Sequence, residues 1–566
     1  MAGKRDRSRF VPLNRRGLNG RSSVLLAVAA LAAVVLSRPG AAQGPPAVQG
    51  HIAPAQVDEL FQRSDVCMTC HNGLVTPSGE DISFGTAWRS SMMAHSALDP
   101  YWQAGVRREV MDFPTAARAI ENECSRCHMP MAHVRSQVLG ESSPVFDRLP
   151  GAEASDPFAL EGVSCAVCHQ ITSDRLGRKE SFTGHFAIDT TTPLEMRRMF
   201  GPYTVDSGRA ALMRSATGFV PTAAAHLQQS ELCATCHTLY TRPLDRNGQP
   251  TGGEFPEQVP YQEWLASEFR TTESCQTCHM PVVREATRMA SVVGELRDGV
   301  SRHTFLGANF FVLGILNRHR AELGVAARPA ELDHAVSSTK AFLQAHAANV
   351  SITRAARVGG RLEADVLVRN LAGHKLPTAY PSRRVWLFVT VRDGQGRTVF
   401  SSGAGQPNGA IAGNDNDRDA LRFEPHYREI RSEDQVQIYE SIMGDQTGAV
   451  TTGLLSAVSY LKDNRVAPRG FDKRTVPDDV AVRGDALADP DFTGGEDSIR
   501  YSVDVSGADG PLVVEVELWY QPIGHRWAQN LGAYKAVEPQ RFLGYFDEMA
   551  SSSALRLARA ASALVQ

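Results

Sequence analysis

The sequence predicts a multidomain α+β protein, with a mostly helical and irregular N-terminal domain followed by a C-terminal β-sandwich-like domain. Three observations predict it: a cysteine motif repeated five times before residue 280, a helical apolar period between residues 310 and 350, and a switch to a period of two beyond. A chain of roughly 520 residues after its leader also exceeds what one core usually serves.

In chain order, the first element is a leader over residues 1–42. Lys4, Arg5, Arg7, Arg9, Arg15, Arg16 and Arg21 form a basic start, Ser22 to Leu36 is an apolar run, and Gly40-Ala41-Ala42 supplies small residues for cleavage. The pattern reads as a signal peptide, so the chain is expected to be exported, to the periplasm or the cell exterior. The apolar run of about 15 residues is short for a bilayer, which needs roughly 20. An uncleaved anchor is the alternative, and membrane association is expected only in that case.

Residues 50–325 carry every cysteine of the chain in five Cys-x-x-Cys-His motifs: Cys67, Cys70 and His71; Cys124, Cys127 and His128; Cys165, Cys168 and His169; Cys233, Cys236 and His237; Cys275, Cys278 and His279. This is the attachment pattern of c-type haem. Two thiols three positions apart each add to one vinyl group of the porphyrin, and the adjacent histidine ligates iron from below. Zinc sites need no histidine in that position. A disulfide within so short a loop constrains little of the unfolded chain. Five covalently bound haem c groups are therefore expected, and their faces supply apolar area that a segment with few long apolar runs lacks. Without haem this pentahaem domain is not expected to fold.

The second axial ligands come from the 12 remaining histidines among 17. His226, just ahead of the fourth motif, and His303, in Arg-His-Thr-Phe beyond the fifth, lead the candidates. His95, in Ser-Met-Met-Ala-His, and His185, in Thr-Gly-His-Phe, come next. His374, in Gly-His-Lys-Leu-Pro-Thr, and His133, in Met-Pro-Met-Ala-His, compete for the remaining place. Met92, Met93, Met131 and Met280 are alternative thioether ligands, more simply read as porphyrin packing.

A helical connector, residues 326–350, follows Phe310 to Leu323 and sets Leu332, Val336, Thr339, Leu343 and His346 at helical spacing, which reads His346 as core. From 351 to 540 the β-sandwich-like domain is expected. Leu362, Ala364, Val366 and Val368 alternate with Glu363, Asp365, Leu367 and Arg369, and 385–392 and 512–520 read as further strands. Residues 541–566 are left as a C-terminal tail or helix.

Two motifs continue as Cys-His-Met-Pro, at Met129-Pro130 and Met280-Pro281. With the Arg-His-Thr-Phe segment, the Gly-His-Lys-Leu-Pro-Thr turn and Tyr-Pro-Ser-Arg-Arg-Val-Trp (380–386), they give a chain that resembles exported multihaem cytochromes c. These are related to the tetrahaem carrier that takes electrons from hydroxylamine oxidoreductase. The resemblance spans most of residues 60–540 and implies electron transfer through closely packed, mostly bis-histidine haems. This chain differs in having five motifs and a large β domain.

The expected function is thus electron transfer between redox partners, cytochromes or quinol-oxidising complexes. One alternative is a multihaem oxidoreductase acting on a small nitrogen or sulfur compound at a haem with an open distal site; against it, all five motifs end in histidine rather than lysine. Another is a subunit of an extracellular cytochrome filament, which the ample supply of histidines disfavours. Loss of the leader removes eight Lys/Arg and a single acid, moving the net charge from −3 to near −10. So acidic a chain excludes nucleic-acid binding and suits a partner with a basic docking patch.

Other sites carry less weight. Asp415, Asp417 and Asp419 alternate as in a calcium loop, but Ala420 and His426 stand where an EF-hand needs Gly and Glu. A solvated turn is the simpler reading, and His426 reads as a hydrogen-bonded residue of the β domain. Arg383 and Arg384 are candidates for pairing with haem propionates, with surface ion pairs as the alternative.

Overall fold

Before residue 347 the described chain is mostly helical and irregular, with three small two-stranded sheets, and beyond it strands dominate. The computed structural model describes residues 54–566, which form one compact unit; the expected signal or anchor lies outside the described residues. Helix α1 (Pro100–Asp112) starts where Asp99 accepts the N–H groups of Tyr101 and Trp102 and Pro100 fills the first turn. Helix α2 (Ala117–His128) stops at its motif because Met129 precedes Pro130, which drives it to φ −135°, ψ 50°. Pro130 then opens α3 (Pro130–Leu139), and Gly140 ends it at φ 74°.

Up to residue 300 the apolar side chains gather in several small clusters, one around Leu60, Phe61, Met131, Val167 and Phe219 and another around Leu74, Ile82, Val283 and Val300. The large core lies elsewhere. It joins α4 (Phe310–Arg318) and α5 (Pro329–His346) to the inner faces of two sheets. His346 is exposed, not core: the stripe through Leu332, Thr339 and Leu343 continues inward at Ala347, one position past it.

The first sheet is built from β1 (Ala348–Val358), β2 (Arg361–Asn370), β5 (Glu429–Ile430) and β8 (Glu496–Asp504), and the second from β3 (Arg384–Arg392), β4 (Thr398–Ser402), β9 (Val513–Gln521) and β10 (Leu555–Ala561), with the short strand Ile438–Tyr439 paired to β3 off the main path. Their orders are β5-β8-β2-β1, with β5 parallel to β8, and β4-β3-β9-β10, antiparallel throughout. Along β2 the period of two is plain: Leu362, Ala364, Val366 and Val368 are fully buried, whereas Arg369 is exposed. They pack with Leu387, Val389, Val516 and Leu518 of the second sheet. A third small sheet holds β6 (Ser441–Asp445) and β7 (Ala457–Asp463).

The C-terminal segment is more than a tail. Residues 541–566 contain the end of α6 (Val537–Met549) and then β10, which pairs with β9 from Tyr520↔Leu555 to Glu515↔Ala561. Helical and sheet regions are bonded together: Glu109 on α1 accepts the N–H groups of Leu454 and Leu455 at 2.8 and 3.2 Å, and Arg107 forks onto Glu538 at 2.9 Å.

Candidate haem-binding centres

All five Cys-x-x-Cys-His motifs coil into a helical turn. Two end the helices α2 and Cys275–His279; in the other three, the histidine N–H of His71, His169 and His237 bonds back to the first cysteine's carbonyl at 3.0, 3.1 and 2.9 Å. A helical turn puts both thiols on one face with the histidine beside them. Four of these histidines give Nδ1 to a backbone carbonyl: His71 to Met289 (2.6 Å), His128 to Ser96 (2.8 Å), His169 to Phe200 (2.6 Å) and His279 to Leu306. Such a bond fixes the tautomer and leaves Nε2 as the free base a metal requires. Burial holds His128 and His279 down to about 4, neutral at pH 7.

The motifs also meet each other. The Cys67 and Cys165 thiols share a hydrogen bond that pushes Cys67 up and Cys165 down, and the same holds for Cys127 with Cys236 and Cys233 with Cys275, where Cys275 falls to about 7. Cys168 lies close enough to Cys236 for their charges to act on each other. The first motif thus adjoins the third, the third the fourth, and the fourth both the second and the fifth.

Two distal candidates face a motif histidine. The His303 ring stands 6.2 Å from that of His169 at 12° between planes, and the His374 ring 6.3 Å from that of His279 at 13°. Each directs Nδ1 to a local carbonyl, His303 to Ser301 at 3.2 Å and His374 to Lys375 at 3.0 Å, and among the described residues none of the four Nε2 atoms has a hydrogen-bond partner. A metal–imidazole bond of about 2 Å, with Nε2 about 1 Å from the ring centre, separates two imidazoles on one iron by about 6 Å between centres. The residues fit.

The other candidates sit differently. His95 is buried with Nδ1 on Ser91 O at 2.8 Å and an Nε2 that no described protein group bonds. His185 gives Nδ1 to Phe182 O, but its Nε2 accepts from Arg126 at 2.7 Å. His226 spends Nε2 on Ile171 O at 2.8 Å. His133 bonds Ser125 Oγ at 2.9 Å and its Nε2 is sealed in protein. Met131 is buried with its sulfur accepting from Ser164, Met92 and Met93 pack on apolar clusters, and Met280 is half-buried. None of these is set across from a motif histidine in the way His303 and His374 are.

The acidic turn at 415–419 is taken up internally: Asp415 pairs with Arg422 at 2.5 Å, Asp417 with Arg384 at 2.8 Å, and Asp419 accepts the Leu421 N–H. His426 lies buried between Asp489 and Asp497, a set that sequence spacing did not reveal because its members come from distant turns. Gln437 and Asn464 have their carbonyl oxygens on backbone N–H groups, so both amides donate to His426 Nδ1. The proton then sits on Nε2 and bonds Asp489 at 3.1 Å, which closes that nitrogen to a metal.

No family model matches the sequence, and no curated relative does. A solved structure, the penta-haem cytochrome c552 from Thermochromatium tepidum, aligns with a TM-score of 0.52 at 17% identity, over 89% of this chain and 99% of that one. The chain shares the fold of a multihaem cytochrome c. No helix among the described residues is long and apolar enough to cross a membrane.

Proposed function

We propose that this chain is an exported, periplasmic or extracellular, pentahaem c-type cytochrome that moves electrons along closely packed, mostly bis-histidine haems between redox partners. The observation that carries the reading is the pair of opposed imidazoles, His169 with His303 and His279 with His374, at the spacing two ligands on one iron require. The ten cysteines hold the haems by thioether bonds, and His71, His128, His169, His237 and His279 are the proximal ligands. Haems with both axial positions filled supply one-electron transfer without binding substrate. Contact between thiols of different motifs supports close packing, with the fourth site as the branch point. His95, whose Nε2 no described protein group bonds, is the first candidate for a remaining distal position; His185 and His226 are candidates that would give up their bonds to Arg126 and Ile171 O to serve. The resemblance to the tetrahaem acceptor of hydroxylamine oxidoreductase supports the same role, and the acidic chain suits partners with a basic patch.

One observation favours a second reading. Opposite His71, at 6.3 Å and 19°, stands Phe84, a ring that cannot ligate iron. A first haem left open on that side would serve an oxidoreductase acting on a small nitrogen or sulfur compound. Intact mass and low-temperature paramagnetic resonance of the oxidised protein test both readings. Five haem masses with low-spin irons support the carrier; a high-spin centre that shifts with nitrite or hydroxylamine supports the enzyme, and a polypeptide matured in a competent host without haem sinks both.

A further inference from the structure

Two arginines follow the turn that carries His374, and their surroundings differ. Arg384 is buried and engaged at every arm: with Asp417 at 2.8 Å, Gln521 at 2.8 Å and Gly409 O at 3.1 Å. Arg383 is half-buried and its guanidinium makes one hydrogen bond, from Nη1 to Thr378 O at 3.1 Å, with no ion pair among the described residues. Its bond to Thr378 O ties it to the turn that carries His374, and its charge is felt at both His374 and His237, the histidine of the fourth motif.

The charges behind that turn cancel without it. Lys375 meets Asp463 at 2.7 Å, and Arg465 meets Asp463 at 2.7 Å and Glu263 at 2.9 Å, the last a charge contact without hydrogen-bond alignment. Two cations thus face two carboxylates, and Arg383 is the surplus. A half-buried guanidinium without an anion is less favourable than one paired. Its planar fork matches a carboxylate held by two parallel bonds, and haem carries two such carboxylates at its propionate edge.

We propose that Arg383 binds a haem propionate at the junction of the fourth and fifth haem sites and raises the midpoint potential of the haem it holds. The proposal rests on the pentahaem reading above. A positive charge beside the ring favours the reduced iron, which carries one positive charge fewer.

The test uses the haem-loaded protein carrying Arg383→Gln, weighed intact and then titrated spectroelectrochemically. The expected result is five haems, one or two components moved to lower potential, the others unmoved, and a shift in the propionate bands of redox-difference infrared spectra. Arg383→Lys keeps the charge and loses the fork, so it is expected to recover most of the potential while the propionate bands stay perturbed. Five haems with native potentials and native propionate bands in Arg383→Gln overturn the proposal. Should that variant mature poorly, native propionate bands in Arg383→Lys overturn it equally. Absence of haem from the unaltered protein is a different outcome, and overturns the pentahaem reading instead.

Discussion

His303 faces His169 with ring centres 6.2 Å apart, although His169 belongs to the third motif and His303 lies beyond the fifth. The segment that brings it there is held by Arg302, whose guanidinium spans Glu80 at 2.6 Å and Val282 O at 2.8 Å. Replacing His303 by Ala is expected to convert one low-spin iron of the oxidised protein to high spin and leave the other signals in place. His303→Met, which offers a thioether, is expected to keep that iron low-spin and raise its potential. Paramagnetic resonance of both variants checks this, and a His303→Ala spectrum identical to the native one would remove His303 as a ligand.

His374 makes a parallel case from the sheet region. Its turn is fixed by Lys375 N–H and Thr378 Oγ1, both bonded to Glu263 on the helix Pro260–Leu265. His374→Ala is expected to convert a different low-spin component, the one ligated by His279. A double variant with His303→Ala should then lose two components, since the two imidazole pairs share no residue.

Lys375 itself predicts a stability effect. Its Nζ donates to Asp463 at 2.7 Å with both side chains buried. Lys375→Met leaves two buried carboxylates facing Arg465 alone, and removal of one member of such a network costs about 3 kcal/mol. The denaturation midpoint of the haem-loaded protein is expected to fall accordingly, with unchanged haem mass. An unshifted midpoint would mean that the network contributes little to the fold.

These sites differ in how far the sequence reveals them. The motif turns are local, so spacing alone announces thiols and histidine together. The buried face of β2 follows from its alternation for the same reason. Distal partners are long-range: His226 and His303 both stand near a motif in sequence, yet only His303 faces a motif imidazole, because Ile171 O claims His226 Nε2. Arg383 and Arg384 are adjacent and chemically identical, and only the fold separates them, by placing Asp417 beside one. Strand β10 escaped notice because its Ala and Arg residues have weak strand preference, and pairing with β9 decides its conformation.

Glu257 yields a prediction in pH. Its carboxyl is buried with no bonded partner among the described residues, and burial, reinforced by the charge of Glu109, pushes it from 4.5 up to about 8. Cys124, Tyr380 and Tyr460 are the other titratable groups whose charge it meets. Between those two values the folded protein holds a proton that the unfolded chain has released, so stability falls as pH rises across that window. Glu257→Gln removes the titration. The variant is expected to match the native protein in denaturation midpoint at pH 5 and to exceed it at pH 8, by on the order of 2–4 kcal/mol if the carboxyl stays enclosed. Parallel midpoints for the two proteins from pH 5 to 8 would show that Glu257 titrates as a solvated acid.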